Sequence, residues 1–228
     1  MKIGGIQKIS LLDYPDCISA IVWTPDCNFR CPFCYNKNLV EGKVELIPEE
    51  EVLSFLKKRK GLLEGLVVSG GEPLLQEDIV DFVEKVKKLD YLIKIDTNGM
   101  FPDKLKELID KKLIDYIAMD IKAPKNKYSI LAGVNVTIKK IEQSIDLIKN
   151  NAPDYEFRTT FVPELLKKED IIEIAKWLKG ANKFFLQQFK INPPLFSSKL
   201  ENTSPYDKDY LNETLDELKP FFKNCDLR

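Results

Sequence analysis

The chain has 228 residues, 44% of them hydrophobic and 31% charged, and its 35 lysines and arginines nearly balance its 36 aspartates and glutamates. A chain of this size can bury one core of barrel size, and a net charge of −1 creates no global field that would favour nucleic acid or an anionic membrane. Its apolar runs are too short to cross a bilayer, so we expect a soluble, cytoplasmic protein.

The sequence contains no histidine. This excludes His-dependent catalytic triads, imidazole general bases and mixed Cys/His zinc sites. Any metal must therefore be held by sulfur or oxygen ligands. Three of the five cysteines lie within eight residues, a pattern that indicates metal chemistry in a reducing compartment rather than a secreted disulfide framework.

Apolar runs and amphipathic segments alternate along the chain. The first run, 17–24, predicts a buried strand; a cysteine-rich loop follows it, and a helix is expected from Pro48 to a left-handed stop at Gly61. Five further strand–helix pairs are predicted, with strands over 66–69, 92–96, 116–121, 156–162 and 184–189 and helices over 79–89, 103–112, 137–149, 170–178 and 207–222.

Continuous apolar strands separated by amphipathic helices predict a parallel sheet whose faces are covered by helices. Six strand–helix units fall short of the eight that close a barrel. We therefore predict an α/β fold, an open partial (β/α)6 barrel of the TIM type, formed by a single domain over residues 1–228. A doubly wound sheet is the alternative, and periodicity alone does not decide between the two.

Cys27, Cys31 and Cys34 form a C-x3-C-x2-C motif in the predicted loop 25–36. Three thiolates can hold a 4Fe-4S cluster and leave one iron open to an external chelate, whereas four would close it as an electron-transfer centre. The non-enzymatic alternative is a structural zinc module that binds partners, but such a site needs a fourth ligand. Cys17 and Cys225 lack a two-residue partner and are expected to be ordinary thiols.

Polar motifs follow three consecutive predicted strands. They are Gly70-Gly71-Glu72-Pro73, Asp96-Thr97-Asn98-Gly99 and Asp120-Ile121-Lys122. Because the carboxyl ends of parallel strands meet at one mouth, these motifs should face a common site with the cysteine loop. Glycines permit close backbone approach to a ligand, and an acid can receive an ammonium group. Taken singly, the glycine pair and Asn98-Gly99 could be turns and Asp120 a helix cap.

The cysteine motif, with the aromatic Phe33 before its last cysteine, resembles the signature of the radical S-adenosylmethionine (radical SAM) superfamily. The Gly-Gly-Glu-Pro segment is similar to the one that meets the methionine end of the cofactor in that family. This resemblance implies that S-adenosylmethionine chelates the open iron through its amino and carboxylate groups. An electron then enters the sulfonium, and the resulting 5′-deoxyadenosyl radical abstracts a hydrogen atom.

The motifs at Asp96 and Asp120 look like segments of glycyl-radical-enzyme activases. In those proteins the acid matching Asp120 and the lysine matching Lys122 lie near the ribose and carboxylate of the cofactor. Residues 4–15 and 186–189 resemble parts of the anaerobic ribonucleoside-triphosphate reductase activating proteins. The implied partners are a glycyl radical enzyme, specifically that reductase, and a reduced electron donor of the flavodoxin or ferredoxin type.

One feature departs from the related pyruvate formate-lyase activases, which carry a histidine at the end of the last strand. Gln187 or Gln188 stands there instead, and an amide can bond a ribose but cannot titrate. This favours the reductase type over a formate-lyase-type activase. Arg158 is either a carboxylate ligand of the cofactor or a member of a buried ion pair. A small-molecule enzyme like 7-carboxy-7-deazaguanine synthase is the remaining alternative.

Overall fold

The computed structural model describes residues 1–191 and 193–228 and contains one sheet of eight strands in the order β1 to β8. Strands β2 to β8 run parallel, and β1 is antiparallel to β2. Because β1 and β8 form the two ends of this order, the barrel is open, as predicted. The strands are β1 Gly5–Ser10, β2 Ser19–Thr24, β3 Gly65–Gly70, β4 Leu92–Thr97, β5 Tyr116–Asp120, β6 Tyr155–Phe161, β7 Lys183–Gln188 and β8 Asn224–Leu227.

Helices connect the parallel strands and cover the outside of the sheet. They are α1 Lys37–Val40, α2 Glu49–Arg59, α3 Ile79–Lys87, α4 Pro102–Asp110, α5 Tyr128–Ala132, α6 Ile138–Asn151, α7 Lys168–Trp177 and α8 Lys208–Leu218. Within the described residues, no helix is both long enough and apolar enough to cross a bilayer.

All six predicted strand–helix pairs are present, with ends that differ by a few residues. The predicted helix 207–222 ends early, at Leu218, and a 3-10 turn that contains Pro220 follows it, because proline cannot continue the α-helical hydrogen bonds. The sequence analysis did not predict β1, β8, α1 or α5. Both extra strands are edge strands with mostly partly or fully exposed residues, so they lack the apolar run that identifies a buried strand.

The main core lies between the outer face of the sheet and the helices. On α6, for example, Ile141, Ile145 and Ile148 are buried at helical spacing and face the sheet side. Burying each such side chain contributes about 1.5–3 kcal/mol to the free energy of unfolding. This layer holds the strands in register, and the register in turn positions the strand ends.

The inner face of the barrel is not apolar throughout, so the expectation of continuous apolar strands is wrong for β4 and β6. Buried Lys94 alternates with Ile93 and Ile95 on β4, and Glu156 alternates with buried Phe157 on β6. Side chains along a strand point to opposite faces, so the isoleucines pack under the helices while the charges point inward. A small apolar cluster closes the amino-terminal end of the interior: Tyr14, Cys17, Ile21, Val67 and Tyr116.

Candidate active site

A cavity of about 550 Å³ opens at the carboxyl ends of the strands. Every residue that the sequence analysis proposed for the site contributes to its lining, so the predicted convergence of the motifs is what the fold produces. These residues are Cys27, Cys31, Phe33, Cys34, Gly70, Gly71, Glu72, Asp96, Asn98, Asp120, Lys122, Arg158 and Gln187.

The cysteine loop is held by backbone hydrogen bonds to distant segments. The amide of Arg30 donates over 2.8 Å to the carbonyl oxygen of Ala132, the last residue of α5. On the other side, the amide of Phe196 donates to the Cys34 carbonyl oxygen over 3.1 Å, and the amide of Ser197 donates to that of Pro32 over 2.9 Å. These bonds give the loop a defined path although it has no regular secondary structure.

Two of the three thiols lie in surroundings that disfavour the thiolate. Burial is the main cause that raises the pKa of Cys27 to about 12, and it also raises the pKa of Cys31 to about 11. The Cys27 sulfur accepts a hydrogen bond from the amide of Phe29 over 3.4 Å. Both thiols are therefore protonated at neutral pH in the metal-free chain, and metal binding must release those protons.

Gly70 packs against Thr24, the last residue of β2, and Gly71 packs against Asp26, which directly precedes Cys27. A Cβ at Gly70 would lie 2.4 Å from the backbone nitrogen of Thr24, and one at Gly71 would lie 1.9 Å from the carbonyl oxygen of Asp26. Gly70 also has a φ of 127°, which side-chain-bearing residues rarely adopt. These positions require glycine for packing against the protein itself, whatever ligand also approaches them.

Glu72 is almost completely buried, and its carboxylate accepts three hydrogen bonds from the protein. The donors are the backbone amides of Leu74 and Asn98, over 3.1 and 2.8 Å, and the hydroxyl of Thr97, over 2.8 Å. Burial raises the pKa of Glu72 to about 7, and the three donors oppose that rise. The carboxylate thus joins the end of β3 to the end of β4.

Four charged side chains form a compact group in the cavity. The Nε of Arg158 lies 2.9 Å from Asp120, its Nη1 lies 3.5 Å from Asp96, and the Nζ of Lys122 lies 3.0 Å from Asp120. Burial alone would raise the pKa of Asp120, but Arg158 and Lys122 outweigh it and hold that pKa at about 2. The group therefore stays ionised, and the guanidinium of Arg158 and the ammonium of Lys122 both border the cavity.

Several residues that line or support the cavity were missed by the sequence analysis. Lys94 donates to the carbonyl oxygen of Asp13 over 2.6 Å and to Asp96 over 2.9 Å. A lysine between two isoleucines in a predicted strand was the signal that could have revealed it. Arg228 binds both carboxylate oxygens of the buried Glu156, over 2.7 and 3.0 Å. No local pattern indicates that contact, because 72 positions separate the two residues.

The donor set fits a cluster with three protein ligands. Three thiols from one loop border a single cavity, and the polar groups opposite them leave room for a chelating ligand. Among residues 1–191 and 193–228, no three His, Cys, Asp or Glu side chains are placed so that they could hold one metal ion together. A cuboidal cluster does not need such a group, because it binds each sulfur to a different iron. Cys17 and Cys225 lie outside this cavity lining.

Comparisons with known proteins find relatives with similar sequences. A Methanocaldococcus jannaschii protein provisionally named a glycyl-radical enzyme activating enzyme is 39% identical over 197 residues, which cover 82% of this chain and 80% of that protein. A 7-carboxy-7-deazaguanine synthase of Thermoplasma acidophilum is 32% identical over 145 residues, which cover 62% of this chain and 65% of that enzyme.

The fold is also found among solved structures. Streptococcus suis SuiB bound to the precursor peptide SuiA matches 90% of this chain with a TM-score of 0.68 and 18% identity, and the chain spans about half, 47%, of that protein. At this identity the match shows a common fold. The sequence model of the radical SAM superfamily matches residues 21–178, well over half of the chain. With the cysteine motif inside that range, the chain belongs to the radical SAM superfamily.

Proposed function

We propose that this protein is a glycyl-radical-enzyme activase. It cleaves S-adenosylmethionine reductively at a 4Fe-4S cluster on Cys27, Cys31 and Cys34, and it removes one hydrogen from a glycine of a partner enzyme. The observation that carries the proposal is the single cavity that joins three thiols of one loop to the glycine pair and to the charged group. The relative from Methanocaldococcus jannaschii, whose provisional name describes such an activase, supports it.

Different residues of the cavity would bind different parts of the two cofactors. When bound, the cluster and S-adenosylmethionine supply the electron and the hydrogen-abstracting radical. Lys122 and Arg158 offer positive charge to the methionine carboxylate, and Asp120 stays ionised between them and keeps both cations in place. The backbone at Gly70 and Gly71 borders the cavity without a side chain and lets the ligand approach closely.

Three further side chains border the proposed binding site. Phe33 offers an apolar wall, and the Nζ of Lys122 lies 5.8 Å from the centre of its ring. Gln187 lies beside Thr160 in the sheet register and presents an uncharged amide to the cavity, suited to a ribose hydroxyl. Asp96, linked to Lys94 and Arg158, borders the same space.

The proposed partner is the anaerobic ribonucleoside-triphosphate reductase, with a reduced flavodoxin or ferredoxin-type donor as the source of electrons. Support comes from the resemblance of residues 4–15 and 186–189 to the activating proteins of that reductase. In the fold these segments form β1 and its following turn, at one edge of the open barrel, and the end of β7 at the cavity. Gln187, where formate-lyase activases carry a histidine that can titrate, also supports the reductase type of activase.

The cluster is tested by metal analysis of anaerobically reconstituted protein. About four irons per chain and reductive cleavage of S-adenosylmethionine are expected. Cys31→Ala should lose both, whereas Cys17→Ala, which removes a buried thiol outside the cavity, should keep both. One zinc per chain without cleavage, or retained cleavage in Cys31→Ala, would contradict the proposal.

The second candidate function is a radical reaction on a small molecule, because the Thermoplasma acidophilum relative is a 7-carboxy-7-deazaguanine synthase. The two candidates differ in where the abstracted hydrogen comes from. A partner reductase labelled with deuterated glycine should transfer deuterium into 5′-deoxyadenosine and acquire a glycyl radical signal by electron paramagnetic resonance. If the deuterium does not appear while the cofactor is still cleaved, the activase function is wrong.

A further inference from the structure

The side chain of Asn98 connects the end of β4 to the cysteine loop. Its Nδ2 donates to the Oδ1 of Asn28 over 2.8 Å and lies 3.9 Å from the sulfur of Cys27. Its Oδ1 accepts from the amide of Met100 over 3.1 Å. Asn98 is 5% exposed, so these partners occupy both ends of a buried amide group.

Buried hydrogen bonds also fix the backbone that carries the side chain of Asn98. The Glu72 carboxylate accepts from the Asn98 amide over 2.8 Å, and the Glu72 amide donates to the carbonyl oxygen of Asp26 over 2.9 Å. Asp26 directly precedes Cys27 in the chain. The contacts therefore form a closed circuit from Asp26 through Glu72 and Asn98 back to Cys27, which holds the amide in one orientation relative to the sulfur.

A donor beside a ligand sulfur has a defined electrostatic effect. Reduction of an iron–sulfur cluster adds negative charge that the sulfurs share, and N–H groups directed at a sulfur stabilise that charge. The sulfur of Cys27 has two such neighbours, the amide of Phe29 at 3.4 Å and the Nδ2 of Asn98 at 3.9 Å. The first comes from the loop itself, whereas the second is supplied by β4 across the cavity.

We propose that Asn98 is a positioning residue for Cys27, whose amide orients the ligand sulfur and raises the reduction potential of the bound cluster. The inference rests on the proposed function, since it requires a cluster on Cys27. It assigns Asn98 a task at the cysteine loop, separate from any contact with the ribose or carboxylate of S-adenosylmethionine. Asn28 has the supporting task of accepting the other N–H and directing the amide.

The test is a redox titration of the reconstituted cluster, followed by absorbance and electron paramagnetic resonance, with iron per chain measured in parallel. Asn98→Leu removes the donor and should make reduction about tenfold less favourable, a negative shift of about 59 mV for a one-electron couple. Asn98→Asp keeps the shape but turns an oxygen toward the sulfur, so it should shift the potential in the same direction.

Gln76→Leu is the matched control. Gln76 is also a buried amide, 7% exposed, and its Nε2 donates over 2.9 Å to the carbonyl oxygen of Pro25 on the cysteine loop, rather than to a cysteine sulfur. This variant should leave the potential unchanged. An unchanged potential in both Asn98 variants, or an equal shift in Gln76→Leu, would overturn the inference. A wild-type chain that binds no iron would instead refute the proposed function, which separates the two failures.

Discussion

Replacing Gly71 by alanine tests how tightly the glycine pair holds the cysteine loop. The new Cβ would lie 1.9 Å from the carbonyl oxygen of Asp26 and 3.3 Å from the Cβ of Cys27. Non-bonded atoms do not approach so closely, so the backbone at Asp26 must move by roughly 1 Å. That movement also stretches the 2.9 Å hydrogen bond from the Glu72 amide to the same oxygen.

The expected cost follows from these two effects. Overpacking against backbone costs about 1–3 kcal/mol, and a lost hydrogen bond adds about 1 kcal/mol, so the free energy of unfolding should fall by about 2–4 kcal/mol. Because the displaced residue precedes Cys27, Gly71→Ala should also lose most of its iron after reconstitution. Urea unfolding of the metal-free chain measures the first effect, and iron analysis measures the second.

Gly61→Ala is the control for Gly71→Ala. Gly61 has a φ of 81°, and a Cβ there would meet nothing within 4 Å. The substitution should cost about 1–2 kcal/mol through backbone strain alone and leave the iron content unchanged. Wild-type stability and iron in Gly71→Ala, or equal iron loss in both variants, would refute the argument that the glycine pair positions the loop.

Three further predictions concern the buried charges. Burial raises the pKa of Glu72 from 4.5 to about 7, so the native metal-free chain binds this proton more tightly than the unfolded chain does, and stability should fall as pH rises from 4.5 to 7. Glu72→Gln should flatten this dependence in denaturation at several pH values; parallel curves would contradict it. Arg158→Met removes the 2.9 Å partner of Asp120, which keeps Lys122 at 3.0 Å, and should lower the free energy of unfolding by about 2 kcal/mol. The loss should be smaller when Asp120→Asn is already present, and additive effects in that cycle would disprove the coupling. Arg228→Ala removes the bidentate partner of the buried Glu156 and should lower the free energy of unfolding by about 3 kcal/mol. Arg228→Lys should restore only part of this stability, because lysine cannot bond both oxygens in parallel; full recovery in urea unfolding would exclude the bidentate geometry.

Sequence reasoning worked well where the signal is local. The six strand–helix pairs follow from hydrophobic periodicity, which a short window records. Their number favoured an open barrel, and the strand order decided it against a doubly wound sheet. Cys27, Cys31 and Cys34 are close in the chain, and the motifs at Gly70, Asp96 and Asp120 each follow a strand. Parallel strands bring their carboxyl ends together, so the sequence alone predicted that these residues share one cavity.

Contacts between distant residues were decided only by the tertiary structure. The charge on the inner face of β4 and β6 depends on which face of each strand turns inward, and β1 and β8 are edge strands with a weak apolar pattern. The pairing of Glu156 with Arg228 and the contact of Asn98 with Cys27 join residues more than seventy positions apart. Periodicity reports the environment of a residue relative to its near neighbours, whereas such contacts arise from strand register and packing of the whole barrel. For that reason the sequence by itself determined which motifs gather at the cavity, whereas the fold added residues such as Arg228 and decided which groups bond to one another.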